Sequence, residues 1–273
     1  MNSLYVIATP IGNLEDISIR ALNILRGVDL IAAEDTRITI RLLKHYNIDT
    51  KLISYHEHSK YSKLRKLINI LEDNDLALVS DSGTPGISDP GRELVKMAQE
   101  EGFNVVPIPG PSSVIAGLSV SGLDITNFSF VGFLPRKVSQ RIKIFEKFVP
   151  NGTALVFLES PRRLRKSLTD LKNSLGDQKL TICREMTKIY EEIFVGTVTT
   201  ALEHFQEPRG EFIVILEGDA ANGPDDLIQE NARNMLVQLA GMGVSGRDSV
   251  EFVVSQTGIT KRKVYEMMQN VIM

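Results

Sequence analysis

The chain has 273 residues, of which 42% are hydrophobic and 24% charged, as expected for a globular protein of one large or two modest domains. The formal net charge of -3 indicates that any surface for a polyanion is local, not spread over the chain. The single cysteine, Cys183, excludes an intramolecular disulfide and a multi-cysteine metal site.

The N-terminal segment MNSLYVIATPIGN lacks both the basic start and the long apolar run of a secretory signal. No run of 18 apolar residues predicts a membrane span, so we expect a cytoplasmic protein. His56 and His58 form an HEH triplet, but no second cluster of Cys or His completes a metal site. We therefore predict no bound metal.

In the first half of the chain, short β-rich runs alternate with helical patterns. Strands are predicted at 4–8, 28–34, 51–55, 76–80 and 104–108. Helices are predicted between them at 18–27, 36–46, 62–73 and 91–101. This alternation predicts a parallel sheet with helices on its faces.

The stretch from 108 to 127 is rich in Pro, Gly and Ser, which indicates a domain boundary. Beyond it, helices are predicted at 138–148 and 162–175, and strands at 128–133, 153–159, 180–185, 190–197 and 211–218. Because the last strands follow one another after short breaks, the second sheet is predicted to be mixed and partly antiparallel.

Residues 219–225, DAANGPD, are typical of a linker, and helical patterns follow at 226–240, 247–256 and 260–271. We therefore predict an α/β fold in three parts. They are an N-terminal α/β domain over 1–115, a second α/β domain over 116–220, and a helical unit similar to a helix-turn-helix over 225–273.

Three segments rich in Gly and Pro follow predicted strands: ATPIGNLEDIS, SDSGTPGISDPG and PIPGPSS. Ligands of open α/β sheets bind beyond the carboxyl ends of the strands, and small residues let the backbone approach them closely. The segments match neither a P-loop nor a dinucleotide fingerprint. Any one alone could be only a tight turn, but together they predict a shared pocket.

The segments TPIGNLEDIS, LIAAEDTR, LVSDSGTPGISDPG, PIPGPSS, GFLPRK and GEFIVILEG occur in this order between residue 4 and about residue 218. In combination they closely resemble the ribosomal RNA small-subunit methyltransferase I family of the tetrapyrrole methylase superfamily. The resemblance implies two α/β domains with S-adenosyl-L-methionine (SAM) between them, and a homodimer. The implied reaction is 2'-O-methylation of a ribose in 16S rRNA or the small ribosomal subunit, at the decoding-centre cytidine 1402.

The resemblance also implies the SAM-binding residues, which come from the three loops. They are Pro10 and Gly12, then Asp81, Gly83, Thr84, Pro85 and Ile87, then Ser112 and Ser113. Thr84 stands where many relatives have Asp, so Asp81 is the alternative carboxylate. The second domain is expected to close the pocket through 157–160 and 183–185. Asp89 and Pro90 are expected to start the next helix rather than to touch the cofactor.

A hydroxyl that accepts a methyl group must lose its proton, so a base or a charge stabiliser is expected. The carboxylates predicted at strand ends, Glu34 and Glu185, are the candidate catalytic residues. Asp35 is expected to cap helix 36–46. The residues do not identify the base, and solvent as proton acceptor stays open.

Two runs of basic residues, PRKVSQRIK and PRRLRK, contain no acidic residue. From them we expect Arg136, Lys137, Arg162 and Arg163 to contact RNA phosphates, together with Arg37. The alternative is that these cations form a solvated helix face. The C-terminal unit either docks RNA or packs as a helical hairpin on the main body or a partner.

Two other functions stay open from the residues. One is SAM-dependent methylation of a tetrapyrrole or a protein side chain. The other is a helix-turn-helix regulator that senses a small ligand, which would bind duplex DNA.

Overall fold

The computed structural model describes residues 2–56, 61–218 and 224–272. The first part contains, in chain order, β1 (Ser3–Ile7), α1 (Ile19–Gly27), β2 (Leu30–Ala33), α2 (Thr36–His45), β3 (Lys51–Ser54), α3 (Tyr61–Asp73), β4 (Leu76–Val79), α4 (Arg92–Glu100) and β5 (Asn104–Ile108). The second contains α5 (Ser113–Val120), β6 (Phe128–Phe133), α6 (Val138–Phe148), β7 (Ala154–Glu159), α7 (Pro161–Leu175), β8 (Lys179–Arg184), β9 (Glu192–Thr197), α8 (Val198–His204) and β10 (Phe212–Leu216). The last contains α9 (Pro224–Gly241), α10 (Gly246–Thr257) and α11 (Lys261–Ile272).

The first sheet is parallel throughout, with the order β3-β2-β4-β1-β5. Side chains alternate between its two faces: Ile31 and Ala77 pack in one apolar cluster, and Ala32 and Leu78 in another. The predicted parallel α/β sheet is thus confirmed. Because β1 lies between β4 and β5, the loops after these three strands leave the sheet side by side.

The second sheet has the order β6-β7-β10-β8-β9. Only β6 and β7 pair in parallel, and the other pairs are antiparallel, which confirms the predicted mixed sheet. Helix α8 was not predicted, because seven residues are too few for a clear helical period. The helix begins with a capping box in which Thr197 and Thr200 satisfy each other's backbone amides.

Helix α5, at the start of the predicted boundary, packs on the second sheet. Its Val114 and Leu118 share an apolar cluster with Ile213 of β10. A Cβ atom at Gly117 would lie 3.4 Å from Ile215 Cδ1, so the helix and the sheet are in close contact. The helix therefore connects the two sheets, and the domain limit at 115 stays a prediction.

The three C-terminal helices enclose a small core of their own, which includes Leu236, Val250 and Val264. Helix α10 ends at Gly258 in a left-handed conformation, and α11 follows directly, as the helix-turn-helix pattern indicates. Residues 219–223 of the predicted linker and His58 of the HEH triplet lie outside the described residues. None of the helices described is long and apolar enough to cross a membrane.

Candidate active site between the two sheets

The three loops rich in Gly and Pro converge at the carboxyl edge of the first sheet. Thr9 and Gly83 exchange two backbone hydrogen bonds, of 2.9 and 3.0 Å, which tie the loop after β1 to the loop after β4. Gly83 has φ +78°, a conformation that favours glycine. A Cβ atom at Gly110 would lie 3.1 Å from Ala8 Cβ, so the loop after β5 passes close to the end of β1.

A cavity of about 820 Å³ lies between these loops and the second sheet, within the size range of small-molecule sites. The first domain and α5 contribute side chains and backbone from Ile11, Ser82, Gly83, Thr84, Ile87, Asp89, Gly110, Ser112, Ser113 and Ile115, among others. The second sheet and its loops contribute Phe128, Phe130, Phe133, Leu158, Glu159, Ser160, Cys183, Met186, Glu211 and Ile213, among others. The walls are thus mostly apolar, with a few polar groups.

Five residues predicted to bind the cofactor line the cavity: Gly83, Thr84, Ile87, Ser112 and Ser113. The other four, Pro10, Gly12, Asp81 and Pro85, do not line it, although Ile11 and Ser82 beside them do. Both segments expected to close the pocket reach it, through Leu158, Glu159, Ser160 and Cys183. The cofactor contacts themselves stay predictions.

Gly12 lies at the contact between the two domains. A Cβ atom there would lie 2.5 Å from Lys188 Cγ and 2.7 Å from Thr187 Oγ1. The amide of the next residue, Asn13, donates a 3.1 Å hydrogen bond to Thr187 Oγ1. Any side chain at Gly12 would therefore push the first loop away from the second domain.

Asp89 does not start helix α4, contrary to the expectation from the sequence. The N-cap of α4 is Gly91, and no side chain caps the helix. Asp89 instead lines the cavity. The Asp-Pro pair of SDPG has the sequence pattern of a helix start. In the structure the chain still turns at these residues, because Ser88 has φ +63° and the Gly86 amide donates a hydrogen bond to the Pro90 carbonyl.

Burial raises the pKa of Asp89 to about 6, and the nearby carboxylates of Glu34 and Asp81 add to the rise. These two carboxylates link the loops after β2 and β4. The amide of Asp81 donates to Glu34 Oε2 at 3.3 Å, and the amide of Asp35 donates to Asp81 Oδ1 at 2.9 Å.

The two residues predicted to be catalytic are not among those that line the cavity. Glu34 lies behind it, in contact with the Asp81 amide. The carboxylate of Glu185 folds back onto the Glu211 amide, at 2.9 Å, and onto Lys188 Nζ, at 3.1 Å. Burial alone would raise the pKa of Glu185, but these hydrogen bonds outweigh it and lower the pKa. Their catalytic roles stay predictions.

Asp35 caps α2 as expected, since its side chain accepts a 2.9 Å hydrogen bond from the Arg37 amide. The guanidinium of Arg37 also pairs with Asp35, so the side-chain hydrogen bond from Arg37 lowers the pKa of Asp35 to about 2. Arg37 is 86% exposed at this position and presents its outer edge to solvent.

The cations of the two basic runs differ in exposure and in their partners. Arg136, Lys137 and Arg162 are exposed. Arg163 instead donates to the carbonyls of Leu134 and Pro135 and pairs with the buried Glu159 at 3.4 Å.

Arg141, which the pattern placed in a solvated or RNA-facing run, is fully buried. It donates to Asp170 and to the carbonyls of Pro135 and Arg136. Sequence reasoning missed these structural roles because the acidic partners, Glu159 and Asp170, lie outside the basic runs.

Cys183 also lines the cavity, but burial raises the pKa of its thiol to about 11, so the thiol stays protonated near neutral pH. Within the described ranges, no three His, Cys, Asp or Glu side chains are grouped so as to hold a metal ion.

Comparison with known proteins shows which family has this arrangement. The model of the tetrapyrrole (corrin/porphyrin) methylases matches residues 3–202. The ribosomal RNA small subunit methyltransferase I of Halalkalibacterium halodurans is 42% identical over 271 residues, which cover 97% of this chain and 94% of that protein. The chain belongs to the ribosomal RNA small subunit methyltransferase I family.

Other similarities cover about four fifths of this chain. The family's protein from Thermotoga maritima is 44% identical over 221 residues, which cover 80% of this chain but 99% of that protein. A crystal structure of diphthine synthase matches with a TM-score of 0.61 at 14% identity, over 80% of this chain and 90% of that one, and so shows the shared fold. Both leave about a fifth of this chain without a counterpart, a share close to that of the three C-terminal helices.

The raised pKa of Asp89 predicts a specific effect on stability. Because this pKa is about 6 in the folded chain and 3.8 for an ordinary Asp, the folded state holds the proton more tightly than the unfolded state. Stability therefore falls as pH rises from about 4 to about 6 and stays lower above it. Asp89→Asn should raise the Tm near neutral pH by on the order of a few degrees, a gain that disappears near pH 4.

Thermal unfolding followed by circular dichroism across this pH range measures the effect. Asp124→Asn is the control of opposite sign, because hydrogen bonds from the amide and hydroxyl of Thr126 lower the pKa of Asp124. That variant should lower the Tm near neutral pH. An Asp89→Asn variant that is less stable than the wild type at every pH would contradict the prediction.

Proposed function

We propose that this protein transfers the methyl group of SAM to the 2'-hydroxyl of a ribose in 16S rRNA, at the decoding-centre cytidine 1402. The observation that carries the proposal is the cavity between three converging loops and the second sheet, in a chain of this family. The reaction needs a donor held against an ordered hydroxyl, and a closed cleft between two domains can hold both.

SAM is the methyl donor of this family, and the cavity suits it. Ile11, Ile87 and Leu158 offer apolar surface to an adenine, and the amides at the start of α5 offer donors to polar groups. We propose that Gly83, Thr84, Ile87, Ser112 and Ser113 contact the cofactor. When bound, SAM supplies a methyl carbon activated by a positively charged sulfur.

The remaining four predicted residues, Pro10, Gly12, Asp81 and Pro85, then act from behind the cavity. Pro85 is buried, and Asp81 holds the Asp35 amide. Their part in cofactor binding is to fix the loops that carry the contacts.

Methyl transfer to isolated subunits tests the proposal. The wild-type protein should transfer labelled methyl from SAM to small subunits that lack the modification, with the label in a 2'-O-methylcytidine of 16S rRNA. Thr84→Arg places a long charged side chain in the cavity wall and should abolish both SAM binding, measured by calorimetry, and transfer. Thr169→Arg, on the exposed face of α7, is the matched control and should keep both.

Wild-type protein that binds SAM but leaves rRNA unlabelled would refute the proposal. Label in a tetrapyrrole or in a ribosomal protein would then support the first alternative function. Tight binding of duplex DNA without transfer would support the regulator.

We further propose that the exposed cations beside the cavity contact RNA phosphates. Phe133 and Pro161 line the cavity, so Arg136, Lys137 and Arg162 follow the cavity wall within four residues along the chain. Arg163 holds the segment 134–137 in place through the carbonyls of Leu134 and Pro135. Arg37 and Arg163 already pair with Asp35 and Glu159, so a phosphate at either guanidinium would compete with a carboxylate.

The salt dependence of subunit binding tests these contacts. Replacing Arg136 and Lys137 together by Gln should weaken binding and reduce the slope of log K against log salt by about 1.5, as expected for two phosphate contacts. The matched control replaces Lys66 and Lys96 by Gln, two exposed cations of α3 and α4. An unchanged slope in the first variant, or an equal change in the control, would refute the contact.

We propose a homodimer that works in the cytoplasm, where ribosomal subunits are found. Ile193 and Val195 are exposed on the edge strand β9 of the second sheet, and Ile189, 95% exposed, and Tyr190 are exposed in the turn just before it. An apolar group of this kind is typical of a protein interface.

Light scattering tests the dimer. The wild-type protein should give twice the chain mass, and the double variant Ile189→Lys, Val195→Lys should give the monomer mass. A monomeric wild type would refute the dimer.

A further inference from the structure

The cavity wall contains three carboxylates, and their surroundings differ. Glu159 is fully buried and accepts hydrogen bonds from the Ser160 amide, at 2.9 Å, and the Ser167 hydroxyl, at 2.6 Å, besides its ion pair with Arg163. Glu211 is 80% exposed and pairs with Lys188 at 2.8 Å. Both carboxylates are therefore already neutralised by neighbouring groups.

Asp89 differs from both. Its carboxylate has no hydrogen bond and no ion pair with any of the residues that the structure describes. The charged groups that act on it are Glu34, after β2, and Asp81, after β4, and both are anions. An unpaired carboxylate that faces two other carboxylates in a half-buried place is more basic than an ordinary aspartate.

The loop that carries Asp89 is held in a strained conformation against the second domain. Ser88 has φ +63°, which is uncommon for a residue other than glycine, and strained residues of this kind cluster at functional sites. A Cβ atom at Gly132 would lie only 2.9 Å from Ser88 Oγ, so the loop presses on the irregular part of β6. Phe133, the next residue, is 58% exposed at the cavity.

We propose that Asp89 is the proton acceptor for the ribose 2'-hydroxyl, an inference that rests on the proposed function. Asp89 lies on the cavity wall, next to Ser88, which contacts Gly132 of the second domain, and Phe133 lines the same cavity. On the proposed function, a nucleotide held by the exposed cations after Phe133 would place its ribose in this cavity. The carboxylate is free to accept a hydrogen bond from the ribose because no described residue competes for it.

The hydroxyl oxygen forms a bond to the methyl carbon while the bond between that carbon and sulfur breaks, with its electron pair left on sulfur. The hydroxyl proton passes to the Asp89 carboxylate and from there to solvent. A carboxylate with a pKa of about 6 is mostly ionised at neutral pH and still basic enough to take the proton as the new bond forms.

Asp89→Asn tests the inference, because it keeps the shape of the side chain and removes the base. With saturating SAM, single-turnover methylation of small subunits should slow by about 100-fold or more, the range of general base catalysis. The wild-type rate should fall as the pH is lowered through the pKa of Asp89, and the variant should lose this dependence. The Kd for SAM should stay within a few-fold of the wild type. Glu93→Gln, an exposed carboxylate on α4 next to the loop, is the matched control and should behave as the wild type does.

The titration of Asp89 can also be measured in the absence of the reaction. Carboxyl NMR of the protein alone should show a resonance that titrates near pH 6 and is absent from Asp89→Asn. A variant that keeps the wild-type rate, or that loses SAM affinity as strongly as rate, would overturn the inference while leaving the proposed function intact. Wild-type protein with no transfer to subunits would overturn both.

Discussion

The site depends on one backbone contact, the pair of hydrogen bonds between Thr9 and Gly83. Strands β1 and β4 are neighbours in a parallel sheet, so the chain must turn away from the sheet after each of them. The bridge is antiparallel and joins the two turns beyond the ends of both strands. It is possible because Gly83 adopts a left-handed conformation. The position of the cavity wall from Ser82 to Ile87 follows from this constraint.

The second wall is fixed by buried charge. Glu159 at the end of β7 and Asp170 on α7 each hold an arginine, and both arginines turn their remaining donors to the carbonyls of the segment 134–136. Removing one partner of such a pair leaves a charge in the interior and costs about 3–5 kcal/mol. The exposed cations Arg136 and Lys137 therefore lie on or next to a rigid segment, because the two paired arginines hold its carbonyls in place.

The sequence was sufficient for the parts of the fold that have a strong period. Both sheets, their parallel and mixed character, and the convergence of the three loops were predicted, because strand runs such as LALV and turns such as TPG are local features. The orientation of single side chains was not. Asp89 has the local pattern of a helix start, but a strained turn at Ser88 sets its position. Arg141 and Arg163 have the pattern of a basic surface, but their orientation depends on carboxylates distant in sequence. Glu34 and Glu185 likewise contact residues distant in sequence, Asp81 after β4 and Glu211 before β10, which the local pattern does not show.

The loop after β4 shows how stability and function compete within a few residues. Ser88 adopts a left-handed conformation, and Asp89 is an unpaired acid beside two others, so both make the folded state less stable. The Gly86–Pro90 hydrogen bond closes the turn that contains both residues, and the Thr9–Gly83 bridge ties the start of the same loop to β1. Both unfavourable features lie on the wall of the cavity. A site keeps such features when its reaction requires a base, because a carboxylate that the protein neutralised could not accept the proton.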